Sequence, residues 1–117
     1  KKIFKKFSLN EGVPDGMTLD KKKNLWVAHF HGACVSVFNN KAKLIHRIRF
    51  PAKNITNCAF GGKNTNELYV STATKGMNKA DLQKFRYSGF FFSVKTNVKG
   101  ILQKKFVLNN EEKRSLL

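Results

Sequence analysis

Few residues in this chain have side chains suited to covalent or metal chemistry, and they are spread along it. Pro14-Asp15-Gly16 sets a carboxylate between a residue of fixed φ and one with no Cβ. Taken alone, that tripeptide is an ordinary tight turn. His29-Phe30-His31 spaces two imidazoles so that both would fall on one side of an extended strand, as a zinc site needs, but no third ligand follows nearby. His46 lies next to Arg47 and near Arg49 and reads as surface. Cys34 and Cys58 stand apart without a Cys-x-x-Cys motif, so they read as buried, reduced thiols of a cytoplasmic protein, with neither a disulfide framework nor a metal cluster. No nucleophile elbow, phosphate loop or Cys/His nucleophile pair is present.

Charge argues for surface rather than site. The 117 residues include 23 Lys and Arg against 7 Asp and Glu, a formal charge of +16, and 19 of the 23 are lysine. Nucleic-acid readers rely on arginine for bidentate and stacking contacts and gather charge on one face. Here the lysines are scattered where turns are expected, which suits a solvated surface better than a polyanion site. Ser88-Gly89-Phe90-Phe91-Phe92-Ser93-Val94-Lys95 shares only its glycine and two aromatics with an RNA-binding strand, so core packing is the better account and no specific nucleic acid is expected. No apolar run approaches the ~18 residues of a membrane span, so no membrane partner is expected either.

The elements that must position these residues emerge from an internal repeat. Pro14 to Asp20 with Leu25 to Ala28 aligns with Ile55 to Gly61 and Leu68 to Ser71, a period of roughly 40 residues. Each unit follows a proline (Pro14, Pro51) with a short strand, a polar turn and a strand of β-formers; a third strand comes next (Cys34 to Phe38; Phe90 to Val94). The first unit adds a fourth, half-exposed strand, Leu44 to Phe50. Four antiparallel strands per repeat of this length predict an all-β fold, the β-propeller, with 13–50 as one blade, 51–108 as the last, 1–12 as the outer strand of a preceding blade and 109–117 as a tail. The second unit carries an insertion, Ala73 to Ser88, in which Asn78 caps a short helix with Asp81 at its third position.

Glu11-Gly12-Val13-Pro14-Asp15-Gly16-Met17-Thr18-Leu19-Asp20 and Asn24-Leu25-Trp26-Val27-Ala28 resemble the gluconolactonase, regucalcin and luciferin-regenerating-enzyme family, the senescence marker protein type. Thr56-Asn57-Cys58-Ala59-Phe60-Gly61-Gly62, Glu67 to Ala73, Lys75-Gly76-Met77 and Ser88-Gly89-Phe90-Phe91 extend the likeness in the same order. The resemblance implies the C-terminal part of a six-bladed propeller and a metal-dependent sugar-lactone hydrolase, the isolated part being inactive. It also implies one divalent cation (Ca²⁺, Zn²⁺, Mg²⁺ or Mn²⁺) at the channel top, held by a Glu, an Asn and the Asp of Pro-Asp-Gly. Of these only the last has a counterpart here, Asp15, which becomes the expected metal ligand and proton acceptor. The metal would polarise the lactone carbonyl.

With that frame, Thr56 falls opposite Asp15 in the next blade, and Thr56 or Asn57 is expected at the channel mouth unless each merely satisfies backbone groups at the strand start. His29 and His31, in the loop after the second strand, are further mouth candidates, and the Ala73–Ser88 insertion is expected on the same face as Asp15. The expected partners are a sugar lactone and the remainder of the propeller. The alternatives are a calcium-binding role without much catalysis and a basic module for polyanions.

Overall fold

The computed structural model describes residues 1–104 together with Val107 and Asn109. Most of the expected 109–117 tail, and the last residues assigned to the final blade, lie outside the described residues. Seven strands form two antiparallel sheets. In the first, β1 (Val13–Leu19), β2 (Leu25–Phe30), β3 (Cys34–Phe38) and β4 (Leu44–Arg49) lie side by side in chain order. The second contains β5 (Asn54–Gly61), β6 (Glu67–Ala73) and β7 (Phe92–Lys95) in the same meander, with helix α1 (Lys79–Lys84) inserted between its last two strands. This is the arrangement expected of consecutive blades.

The two sheets are joined through one apolar layer. On β2 and β3, Trp26, Ala28, Val35 and Val37 point one way; Ile55, Cys58, Leu68 and Val70 of the second sheet meet them, and Phe50 and Ala52 of the connecting segment close the layer. The Phe60 ring meets the Trp26 indole edge-on at 5.0 Å between centroids. Alternation on a pleated strand explains why Leu25 and Val27 face the opposite way, under Phe4 and Phe7 of the N-terminal segment. Both thiols are free and buried, Cys58 donating its S–H toward the Trp26 carbonyl. Burial pushes the Cys58 thiol up to about 12, so at neutral pH it packs as a small apolar side chain.

Two sequence expectations change. Residues 1–8, expected as the outer strand of a preceding blade, pair with neither sheet, because a strand needs a ladder and that blade is not part of this chain. The Phe90 and Phe91 side chains, expected in the core, are 57% and 68% exposed, while Phe92 and Val94 pack inward. The third strand of the second unit begins two residues later than expected, at Phe92, so alternation places Phe92 and Val94 on the inner face and leaves Phe91 on the outer one.

Asp20 closes the turn between β1 and β2 although it is fully buried. Its Oδ1 accepts from the Asn24 backbone N–H at 2.9 Å, and its Oδ2 from Asn24 Nδ2 at 2.9 Å and Trp26 Nε1 at 3.0 Å. Burial works against the charged form, but the hydrogen bonds from Trp26, Asn24 and the Lys22 backbone outweigh it and hold the carboxyl below its ordinary value. Because the folded value lies below the unfolded ~3.9, this stabilisation is complete above that pH and drains away as pH falls through the folded value. Asp20→Ala, which leaves the indole N–H without its acceptor, should cost about 3 kcal/mol in urea unfolding at pH 7 and flatten the acid limb of the stability profile. An unchanged midpoint would contradict this role.

Candidate functional site at the Asp15 end of the sheets

Asp15 owes its position to a break in the β1–β2 ladder. Pro14 pairs with His29 and Met17 with Val27, so Asp15 and Gly16 together oppose Ala28 alone. The same bulge recurs on β5, where Ile55 pairs with Thr72 and Asn57 with Ser71, leaving Thr56 as the extra residue. A bulge re-aims a side chain out of the alternating register. Gly16 is required for a second reason: a Cβ built on it would lie 2.6 Å from the Asn57 Cα, so β1 and β5 approach too closely there for any side chain.

The exposed Asp15 carboxylate lines a cavity of about 520 Å³ with Val13, Pro14, Phe30, His31, Lys75 and Gly76. Its wall is mainly apolar, and Asp15, His31 and Lys75 supply its ionisable groups. Lys75 and Gly76 belong to the insertion, which therefore shares the face of Asp15 as expected. Four contacts tie the insertion to the segment between the sheets: the ion pair of Lys53 Nζ with Asp81, Lys53 N donating to Ser88 Oγ at 3.0 Å, Tyr87 N to the Pro51 carbonyl at 3.2 Å, and Asn54 Nδ2 to the Lys75 carbonyl at 2.9 Å. The hydrogen bond from Lys53 holds the Asp81 carboxyl below its ordinary value. Asn78 caps α1 by accepting from Asp81 N at 2.8 Å, as its sequence indicates.

The other sequence candidates separate. His29 and His31 do not form a pair: His31 is exposed at the cavity with φ 66°, whereas His29 is fully buried within β2 on the far face of the first sheet. His29 donates its Nδ1 proton to the Glu11 carbonyl at 2.6 Å, and the Phe7 ring meets it edge-on. Burial pushes its pKa down, so the ring is neutral and structural rather than at a mouth. Thr56 and Asn57 are absent from the residues lining the Asp15 cavity. Thr56 Oγ1 shares a hydrogen bond of 2.8 Å with Ser71 across its own sheet, and Asn57 Oδ1 accepts from Cys58 N at 2.8 Å. Both serve the backbone and sheet, the second of the two roles weighed for them. Lys75 is the cavity group that residue-level reading missed; the insertion that breaks the repeat was its only sequence signal.

Comparison with known proteins fits this geometry. Residues 1–74 match the family described as the SMP-30/Gluconolactonase/LRE-like region. The chain belongs to that family. Danio rerio regucalcin is 40% identical over 98 residues, covering 82% of this chain and 33% of that protein. Bacillus subtilis YvrE, named as a sugar lactone lactonase, is 38% identical over 96 residues, covering 81% of this chain and 33% of that protein. Among solved structures, a calcium-binding protein, regucalcin, from Agrobacterium tumefaciens superposes with a TM-score of 0.78 at 24% identity, covering 84% of this chain and 33% of that one. A luciferin-regenerating enzyme superposes at 0.69 with 33% identity, covering 80% of this chain and 31% of that one. The family member described here thus spans about a third of the length of the relatives it matches, and its two sheets are a fragment of a propeller.

Asp15 has the donor chemistry of one ligand to a hard cation: an exposed carboxylate on a cavity wall, engaged by no hydrogen bond or ion pair among the described residues. A full donor set is not assembled, since no group of three or more His, Cys, Asp or Glu converges among the described residues. The close approach at Gly16 can be tested directly. Gly16→Ala should push β1 from β5, lowering stability by about 2 kcal/mol and shifting the Asp15 amide resonance. A variant with wild-type stability and unshifted Asp15 would show that the close approach does not fix this wall.

Proposed function

We propose that this chain supplies one wall of the active site of a metal-dependent sugar-lactone hydrolase, with Asp15 as both metal ligand and proton acceptor. The observation that carries the reading is the placement of Asp15: the bulge aims the carboxylate of the family's Pro-Asp-Gly segment into a cavity shared with His31 and Lys75. YvrE's name supports a sugar lactone as the substrate class, and the calcium-binding regucalcin supports a divalent ion. Bound there with ligands from further blades, the cation would polarise the lactone carbonyl.

The chain's own part can be derived from its chemistry. Asp15 has two oxygens, so one can coordinate while the other takes a proton from attacking water, and a carboxylate free of competing hydrogen bonds keeps that lone pair available. The apolar wall from Val13, Pro14 and Phe30 limits water around the ring and strengthens the electrostatics of the polar groups. Lys75, held by its backbone to Asn54, is positioned to attract the negative charge that develops on the opened carboxylate. The isolated chain should be inactive, because one carboxylate holds a divalent ion weakly. A cytoplasmic setting with reduced thiols belongs to the same proposal.

The charge of +16 favours a second, weaker activity, salt-sensitive and sequence-independent attraction to polyanions. The lactonase reading is tested by replacing the matching third of YvrE with residues 1–104 and following opening of an aldonolactone by proton release in metal-replete buffer. Asp15→Asn in that protein should reduce turnover by at least ~100-fold without loss of fold. Undiminished turnover would remove Asp15 from the chemistry.

A further inference from the structure

The second sheet stops one strand short of the first. Among the described residues β7 has no outer neighbour, whereas β3 at the same place in the first sheet pairs with β4. The segment with the matching sequence position is at the other end of the chain: Ile3 to Ser8 precedes β1 by the same interval as Leu44 to Arg49 precedes β5, and Phe7 takes the place of Ile48. The chain therefore carries one unpaired segment suited to an outer strand and one sheet edge lacking an outer strand.

The sheet faces show the same complementarity. Ala59, Tyr69, Ser71 and Phe91 form the outward face of the second sheet; Asn57, Tyr69 and Phe91 also border a shallow cavity there, and the Tyr69 and Phe91 rings stack at 5.9 Å. In the repeat, Tyr69 and Ser71 stand where Trp26 and Ala28 stand, the surface that the first sheet buries against the second. The far face of the first sheet carries Met17, Leu25, Val27 and Phe38, where Met17, Leu25 and Val27 stand in the places of Cys58, Leu68 and Val70. None of these eight residues is charged. Each end of the chain thus repeats one half of its internal interface.

We infer that the partner of these two faces is a second copy of this chain, and that three copies close head to tail into a ring in which residues 3–8 of each copy pair with β7 of the next. A heterologous contact closes when its rotation divides a full turn. Two sheets make up 33% of the Agrobacterium regucalcin structure, so three copies supply a full complement of blades. The N-terminal segment need not move far to do this. Phe7 already rests on Phe38 at 5.8 Å between ring centroids, and Glu11 holds the base of the segment through its carbonyl to His29, its carboxylate to Ser8 N at 3.0 Å and its pairing with Arg47 at 3.6 Å. That leaves the segment's backbone edge to pair with the neighbour. By the register of β3 with β4, where Val35 pairs with Ile48 and Val37 with His46, Phe7 falls opposite Phe91 and Lys5 opposite Ser93 of the next copy. The ring brings three copies of β1 and Asp15 around one axis. This inference does not depend on lactone chemistry; it concerns assembly only.

Mass and covalent trapping test it on the full 117-residue chain. Sedimentation equilibrium in roughly 0.3 M salt, which screens the +16 charge on each copy, should give three times the 13.3 kDa chain, about 40 kDa. Phe91→Asp, at a side chain already 68% exposed, should return the chain to monomer while its circular dichroism is unchanged. Lys5→Cys combined with Ser93→Cys should give a non-reducing ladder that ends at the trimer. A monomer over roughly a hundredfold concentration range would overturn the ring, since these faces would then await other blades. An open ladder beyond three copies, or a trimer indifferent to Phe91→Asp, would overturn it as well.

Discussion

The layer between the two sheets is the constraint on which the rest of the molecule depends. Trp26 is its centre, packing against Phe60 while its indole N–H ends on the buried Asp20 carboxylate. That single side chain couples the turn of one sheet to the inner strand of the other. With β2 held against β5, β1 is forced close to β5, and the approach leaves no room for a Cβ at Gly16. The bulge beside Gly16 then aims Asp15 toward the cavity. A buried carboxylate is stabilising only while its hydrogen bonds are complete, so the position of a surface carboxylate ultimately rests on a satisfied internal one.

A second consequence of the same layer is the placement of the insertion. The segment from Phe50 to Asn54 crosses between the sheets with Phe50 and Ala52 buried, so its polar groups are presented at fixed positions on the Asp15 face. Lys53, Pro51 and Asn54 use them to hold α1 and the loops on either side of it. A stretch with few core residues of its own is thereby given a defined place, and Lys75 with it. Loops that carry function on a rigid scaffold generally need such attachment.

Much of this was legible in the sequence because repeats and periodicity report burial. The strand order of the first sheet, the turn at Lys21–Asn24, the cap at Asn78 and the shared face of Asp15 and the insertion all follow from spacing alone. Asp15 was identified through its motif, since nothing in a lone Pro-Asp-Gly distinguishes a site from a turn. His29 shows where the reading failed: alternation at His-x-His predicts one side for both rings, but the positive φ of His31 turns the chain before the second ring is placed. Thr56 failed for another reason. The bulge gave it the height expected from the repeat, yet Ser71 across the ladder satisfied its hydroxyl, a partner that no local pattern reveals. The unpaired N-terminal segment is the plainest limit, since a strand exists only in the presence of its neighbour.

Native-state hydrogen exchange on the 117-residue chain measures the central claim, that one interface makes the two sheets a single cooperative unit. The account predicts that the Trp26 indole N–H and the ladder amides of β2, β5 and β6 exchange with one common free energy of opening, equal to that of global unfolding, and that Asp20→Ala lowers all of them together. Independent opening, with the β5–β6 amides exchanging at a different free energy from those of β2 or unmoved by Asp20→Ala, would contradict it.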